Sequence, residues 1–501
     1  MIKPNFLFSD NAVLQREKEI VVFGECDCSK ITVKYSNYCV EAKIVGNRFE
    51  AKLPPMKANI CDELIFESKN ETVRLKNVIT GDVWVAAGQS NMEHPTFCTY
   101  YDEKILQYDN KIRLFTVPRC PYKDAQVWGW HFNGVYSNDT PWEIFNKRQA
   151  LGFSAVATNF VKRLRQSVDV PIGIISCNRG GTDMESWIDR QALLKNQITR
   201  YMVDEYDKKF SNVDIEEYKT KYQEYQNELA KFINDNEHEF NIAKNIGVDR
   251  YLKEHVFRKP IPEGPFDTQV PGNCWDNMVI RIASYSISGV LWYQGESNTR
   301  ITPYGHKVYF NTLMETLVRE WRKAFNDKEL PFYTVQLAAY DSLGSEKKNW
   351  SEIRAAQEEF AKNKNIYMIT AIDIGEKKNI HPANKAPVGE RLALAVLANH
   401  YRVNVKWKSP SINKLIKKGK EGVLQFKNVK EFRCVSNNPQ SFYITNKMGE
   451  EKSIEVKICR KTIRFNVEEG YVRIGYCNRN YALPDVYNED GLPLLPFEIE
   501  I

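Results

Sequence analysis

The sequence predicts a mixed α/β fold with a mainly parallel sheet, flanked by β-sandwich-like modules and interrupted by a helical insertion. Three observations carry this expectation. Short β-branched runs fill residues 1–80, apolar strands alternate with amphipathic helices over 81–405, and strand-like runs return over 406–501.

In the first segment VVFGEC, ITVKYSN, YCVEAKIVG, RFEAKL, DELIFES and TVRLKNVIT alternate or run apolar between Asn, Gly, Lys and Pro turns, the pattern of a small β-sandwich. From Asp82 onward VWVAAG, IGIISC, SGVLWYQG, PFYTVQLA and IYMITAIDIG recur, with helical stretches such as SAVATNFVKRLRQS and FNTLMETLVREWRKAF between them. Strands joined by helices argue a mainly parallel sheet. Residues from about 190 to 260 break the alternation, being rich in Lys, Glu, Asn and Tyr. Tyr218, Tyr222, Tyr225, Leu229, Phe232 and Ile233 recur there at helical spacing, which predicts a helical insertion with one apolar stripe. GVLQFKNV, SFYITNK, SIEVKIC, KTIRFNVE and YVRIGYC then form a second β module ahead of a Pro-rich tail.

With 501 residues, 43% hydrophobic and 27% charged, the composition excludes disordered, collagenous and fibrous chains and allows two or three domains. Lys+Arg 70 against Asp+Glu 64 leaves +6 with no long basic block, so no nucleic-acid partner is expected. No run of eighteen apolar residues occurs, and the start MIKPNFLFSDNAVLQR lacks a signal-peptide pattern, so neither a membrane partner nor export is expected. A cytoplasmic location follows as an expectation, replaced by a secreted or periplasmic one if the chain has been trimmed. Eleven cysteines without framework spacing fit free thiols, and no Cys/His grouping has zinc-ligand spacing. Neither a metal nor an organic cofactor is expected. Composition does not specify an oligomeric state.

Candidate chemistry gathers at strand ends, where an open α/β sheet forms its ligand crevice. The strand VWVAAG ends in Gly88-Gln89-Ser90-Asn91, which presents Ser90; taken alone, this serine also reads as a helix N-cap. After IGIISC, Asn178-Arg179-Gly180-Gly181 places bare backbone N–H groups where an oxyanion can approach. GVLWY ends in Gln294-Gly295-Glu296-Ser297-Asn298, an amide, a carboxylate and a second amide. Asp373 lies just past the strand IYMIT, and Asn379-Ile380-His381-Pro382 follows, putting His381 in a loop from which a general base can reach back to Ser90.

These residues together resemble the SGNH (GDSL-like) hydrolase superfamily, and within it the sialate O-acetylesterase family of carbohydrate esterases. The resemblance runs over nearly the whole chain: LFSDNAVLQREKEIVVFGE, GQSNM, GGTDMESW, GVLWYQGESN, IRAAQ, IHPANK and GLPLLPF. WYQGESN after GQSNM is the specific part. It implies an SGNH-type three-layer α/β/α core, Ser90 as nucleophile, His381 as base, and hydrolysis of O-acetyl esters on sialic acids or related sugars. Oxyanion donors are then the backbone N–H of Ser90, that of Gly181 or Gly180, and a side-chain amide, Gln294 before Asn298. Gln89, Asn91, Asn277 and Asn298 are the implied substrate contacts, and Arg179 beside the Gly pair can meet a sialic acid carboxylate as a two-pronged fork.

One departure concerns the acid. Many superfamily members have Asp three residues before the histidine; here Lys378 stands there, and Asn379 occupies the place two before it where relatives often read Asp. Either Glu296 or Asp373 orients His381, or the site is a dyad. Structural alternatives stand beside each role: Glu296 buttressing Gln294, Asp373 capping a turn, Arg179 pairing with Asp183 or Glu185, Asn277 in a turn, His94 at the surface rather than touching the pocket four residues after Ser90, and Trp187, Trp275 and Trp292 in the core rather than as sugar platforms. The competing functions are deacetylation of polysaccharides such as acetylated xylan and a carbohydrate-binding protein without catalysis.

Overall fold

A single long strand, β1 (Thr72–Gly88), organises the first part of the molecule. Its last eleven residues are all buried, Thr80 and Asp82 among them, so both faces of the strand are covered there. The computed structural model describes residues 1–118, 141–235, 262, 264, 269–300, 302–341, 349–436 and 439–501. Two compact units emerge, Met1–Trp292 with Thr312–Phe332, and Tyr293–Asn311 with Tyr333–Ile501.

In the first unit, β1 is shared. Its first half pairs antiparallel with Cys61–Glu67, and its second half pairs parallel with β3 (Ile172–Asn178), which is itself parallel to β2 (Asp109–Thr116). A boundary near residue 80 therefore falls inside a strand that serves both the N-terminal β layer and the α/β sheet. The order across this part of the sheet is Glu143–Phe145, β2, β3, β1, β4 (Gly289–Tyr293). In the N-terminal layer, Arg48–Leu53 alternates exposed and buried residues, the mark of a half-buried strand.

The helix Ala155–Arg165 starts at Ser154, whose side chain accepts from the Ala157 N–H at 3.1 Å, and it ends with Lys162, Arg163 and Arg165 against the negative end of the helix dipole. Within the expected insertion lie the helices Gln197–Phe210 and Ile215–Asp235. Tyr218 and Tyr225 of the predicted stripe are buried, whereas the side chains of Leu229, Phe232 and Ile233 and the segment 236–261 lie outside the described residues. Trp187, Trp275 and Trp292 are core residues; Trp292 stands edge-on to both Trp187 and Trp321 at 6.0 and 5.9 Å between ring centroids.

The second unit contains β5 (Phe332–Gln336) beside β6 (Ile366–Thr370), with the helices Asn349–Phe360 and Ala386–Asn399. Its C-terminal part is antiparallel β throughout. Ser411–Lys418, Glu421–Lys427, Thr462–Asn466 and Lys457–Cys459 form one sheet, and Glu451–Ser453, Phe442–Asn446, Tyr471–Tyr476 and Phe497–Glu500 another. Leu424, Phe426, Phe442, Ile463, Phe465 and Ile474 make a core that also takes in Ala339 and Ile372. The IRAAQ helix explains its own motif here. Fully buried Arg354 donates to the Arg479 and Asn480 carbonyls, and Gln357 accepts from the Leu337 N–H at 3.0 Å and donates to the Gln294 carbonyl at 3.2 Å.

The fold is thus mixed α/β with additional β layers. The ten described cysteines are free thiols. No described helix is long and apolar enough to cross a membrane.

Candidate active site

In the first unit, parallel pairing aligns Asn178 with Gly88 and brings two loop starts side by side, and the Arg179 N–H closes the junction on the Gly88 carbonyl at 3.0 Å. Ser90 opens the four-residue helix Ser90–Glu93. The N-cap is Gln89, which makes no side-chain capping bond, so Ser90 sits one position inside the cap rather than serving as it. Gln89 and Asn91 are buried on either side, and Ser90 is partly exposed.

Gly180 packs directly on the serine. A Cβ at this position would lie 3.1 Å from Glu93 Oε2 and 3.4 Å from Ser90 Cβ, so it would crowd the Glu93 carboxylate while reaching van der Waals contact with the serine. The Gly180 N–H donates to the Glu93 carboxylate. Of the glycine pair, Gly181 is the one whose N–H has no acceptor among the described residues, and it is exposed. The loop is braced by Thr182, whose hydroxyl donates to the Arg179 carbonyl at 2.8 Å and accepts from Trp187 Nε1 at 2.9 Å. This accounts structurally for the threonine and the tryptophan of GGTDMESW.

Arg179 is half-buried, and among the described residues no hydrogen bond or ion pair engages its guanidinium, so neither Asp183 nor Glu185 is its partner. Asn277 is buried in a π-helical turn, Trp275–Val279, and its amide N–H groups donate to the Asn273 carbonyl (3.0 Å) and Oδ1 (2.5 Å), leaving its Oδ1 as the atom it can offer a ligand. His94 is buried, 7% exposed, which corrects the surface placement: it closes the short helix with its N–H on the Ser90 carbonyl, and its own carbonyl accepts from Ala155.

In the second unit, Gln294 is fully buried and its Nε2 donates to Asn298 Oδ1 at 2.5 Å, so the two candidate amides act as one oriented pair. Gly295, at φ +144°, turns the chain where a Cβ would approach Gln357 Nε2 to 3.2 Å. The Thr299 carbonyl accepts from His306 Nε2 at 3.1 Å and from Asn349 Nδ2 at 2.9 Å, and the Thr299 hydroxyl returns to the Glu296 carbonyl at 2.8 Å. Glu296 is itself buried. Burial holds the neighbouring Tyr293 phenol well above its ordinary pKa, and the Glu296 charge adds to this.

Asp373 receives two parallel hydrogen bonds from Arg391 at 2.6 Å, and Arg391 also donates to the Thr370 carbonyl at 2.8 Å. The pair is nearly buried, with side-chain exposures of 9% for the arginine and 12% for the aspartate. Asp373→Asn is expected to cost about 3–5 kcal/mol by leaving the guanidinium unpaired, read as a lower denaturation midpoint. Turnover per folded molecule should stay within a few-fold of wild type; a large loss of turnover at unchanged stability would place Asp373 in the chemistry instead. His381 lies on a partly exposed loop after residue 375, with Asn379 folded onto its backbone.

Glu93, Glu376 and Asn379 carry contacts that no motif announced as functional. Glu93 has a signal in hindsight, three residues after Ser90 and one helical turn along. Glu376 has none, because its contacts reach forward to residues 379 and 383 through a loop without periodicity. Among the described residues no group of three or more His, Cys, Asp or Glu side chains could hold a metal ion.

A family profile described as carbohydrate esterase, sialic acid-specific acetylesterase matches residues 80–244 and 265–398. The protein is accordingly an enzyme, an ester hydrolase acting on acetylated carbohydrates. The chain belongs to this carbohydrate esterase family. Sialate O-acetylesterase of Mus musculus is 24% identical over 425 residues, covering 80% of this chain and 72% of that protein. That of Rattus norvegicus is 25% identical over 399 residues, covering 74% and 67%. The solved structure of a carbohydrate acetylesterase from Xanthomonas citri has the same fold, with TM-score 0.76 at 24% identity over 100% of this chain and 99% of that one.

Proposed function

We propose that the protein removes O-acetyl groups from sialic acids or related acidic sugars through a serine mechanism, on an SGNH-type three-layer α/β/α core. The observation that carries the mechanism is Gly180 packed against Ser90, which sets the serine beside the loop whose Gly181 N–H has no acceptor among the described residues. In this reading Ser90 Oγ attacks the acetyl carbonyl carbon as His381 takes the hydroxyl proton. The negative carbonyl oxygen is held by the Ser90 and Gly181 N–H groups and by the Gln294 amide, oriented through Asn298. Collapse breaks the bond to the sugar oxygen, which leaves with the proton from His381. Water, deprotonated by the same imidazole, then releases acetate and restores Ser90. With Asp373 occupied by Arg391, Glu296 is the carboxylate assigned to orient His381; without it the pair works as a dyad.

Arg179 supports an acidic substrate over a neutral xylan. A half-buried guanidinium with no protein acceptor among the described residues suits the carboxylate of a sialic acid, which it can grip with two parallel hydrogen bonds. Arg179→Ala is expected to raise KM for O-acetylated sialic acids about 10-fold or more, the order of one lost charged hydrogen-bond pair, with kcat little changed and acetylated xylo-oligosaccharides unaffected. The experiment is acetate release across a panel of both substrate classes. Faster turnover of xylo-oligosaccharides, with Arg179→Ala indifferent to the sialic acids, would sink the acidic-sugar reading.

A further inference from the structure

The loop that carries His381 is closed by two side chains that have no place in the reaction itself. Asn379 Oδ1 accepts from the His381 N–H at 3.1 Å, and Asn379 Nδ2 donates to the His381 carbonyl at 2.8 Å and to Glu376 Oε2 at 3.1 Å. The other oxygen, Glu376 Oε1, accepts from the Ala383 N–H at 2.9 Å, and Glu376 and Asn379 also form an antiparallel bridge. Both polar groups of the His381 backbone are thereby captured by one amide, and that amide is held by one carboxylate anchored further along the chain.

The donor count dictates the residue types. Asn379 must accept once and donate twice, which an amide can do and a carboxylate cannot. Glu376 must accept on both oxygens, which a carboxylate can do and an amide cannot without turning its NH2 toward another donor. A backbone N–H bonded to an Asn side chain two residues earlier is the local turn that Asn favours, but here the same side chain also takes the carbonyl, removing the freedom that such a turn leaves on its far side.

We propose that Glu376 and Asn379 form a clamp that positions His381, with Asn379 as the positioning residue and Glu376 as its anchor. The inference rests on the reading of His381 as the general base. A histidine on a loop must meet its proton donor within a few tenths of an ångström, and misplacement by about 1 Å can cost on the order of 100-fold in rate. The clamp supplies part of that precision through the main chain, separately from the carboxylate assigned to the imidazole.

The test is steady-state kinetics on the full chain, with thermal denaturation of each variant. Asn379→Ala is expected to lower kcat about 10- to 100-fold with KM and the denaturation midpoint close to wild type. Asn379→Asp should be at least as impaired, since it loses both donors and sets its carboxylate against that of Glu376. Adding Glu376→Gln to Asn379→Asp should regain part of the loss, because the new amide can donate to the new carboxylate while still accepting from the Ala383 N–H. A stability role alone would move the midpoint and leave kcat per folded molecule unchanged. If His381→Ala is inactive while Asn379→Ala and Asn379→Asp keep wild-type kcat, the clamp is refuted and the base assignment stands; if His381→Ala is itself active, the base assignment fails first. Absence of any recovery in the double variant also overturns the pairing.

Discussion

Ser90→Ala is expected to lower kcat/KM by about four orders of magnitude or more, with His381→Ala close to it and the double variant no worse than the weaker single. In the proposed mechanism nucleophile and base make one proton-relay unit: an alanine at either position leaves the other with nothing to do, so the losses cannot add. Ser90 is one residue into a short helix on a rigid strand end, and His381 is on a partly exposed loop, so neither truncation removes core packing. Circular dichroism and the denaturation midpoint should match wild type. Acetate release from an aryl acetate and from an acetylated sugar measures the effect, and substantial hydrolysis by either folded variant would end the serine mechanism.

On its proposed role as an oxyanion donor, Gln294→Ala should reduce kcat by about 10²- to 10³-fold, the usual cost of one such donor, while KM changes little because the interaction would strengthen only as the oxygen becomes negative. Gln294 is fully buried and its Nε2 is bonded to Asn298 Oδ1, which makes Asn298→Ala the informative control. Losing the orienting partner leaves the donor in place but less well aimed, so the fall should be smaller and in the same direction. Equal and small effects of both substitutions, with losses in stability to match, would reduce the pair to a packing element and move the oxyanion role to the backbone alone.

The strand pattern was legible because burial on both faces of a parallel sheet demands continuous apolar runs, and VWVAAG and IGIISC are such runs; they pair in register as neighbours, Asp82 with Ile172 through Gly88 with Asn178. The ends of those strands were legible for the same reason, since a change from apolar run to GQSN, NRGG or QGES marks where the sheet stops. What one strand does in two settings was not. β1 passes from an antiparallel partner to a parallel one without any change that chain order records, because both partners satisfy the same backbone groups.

By itself the sequence determined the mixed α/β class, the strand ends that present Ser90, Gly181 and Gln294, the loop bearing His381, and the family to which the chain belongs. These follow from local order, where residue spacing along a strand or helix already settles which side chains share a face. Tertiary structure alone decided the partners. Gly180 surrenders its N–H to Glu93 across 87 residues, Asp373 binds Arg391 18 residues on, and His94 is buried instead of exposed. A carboxylate satisfies any donor that packing brings within about 3 Å, and which donor that is depends on how separate elements stack, a property that no spacing within either element contains.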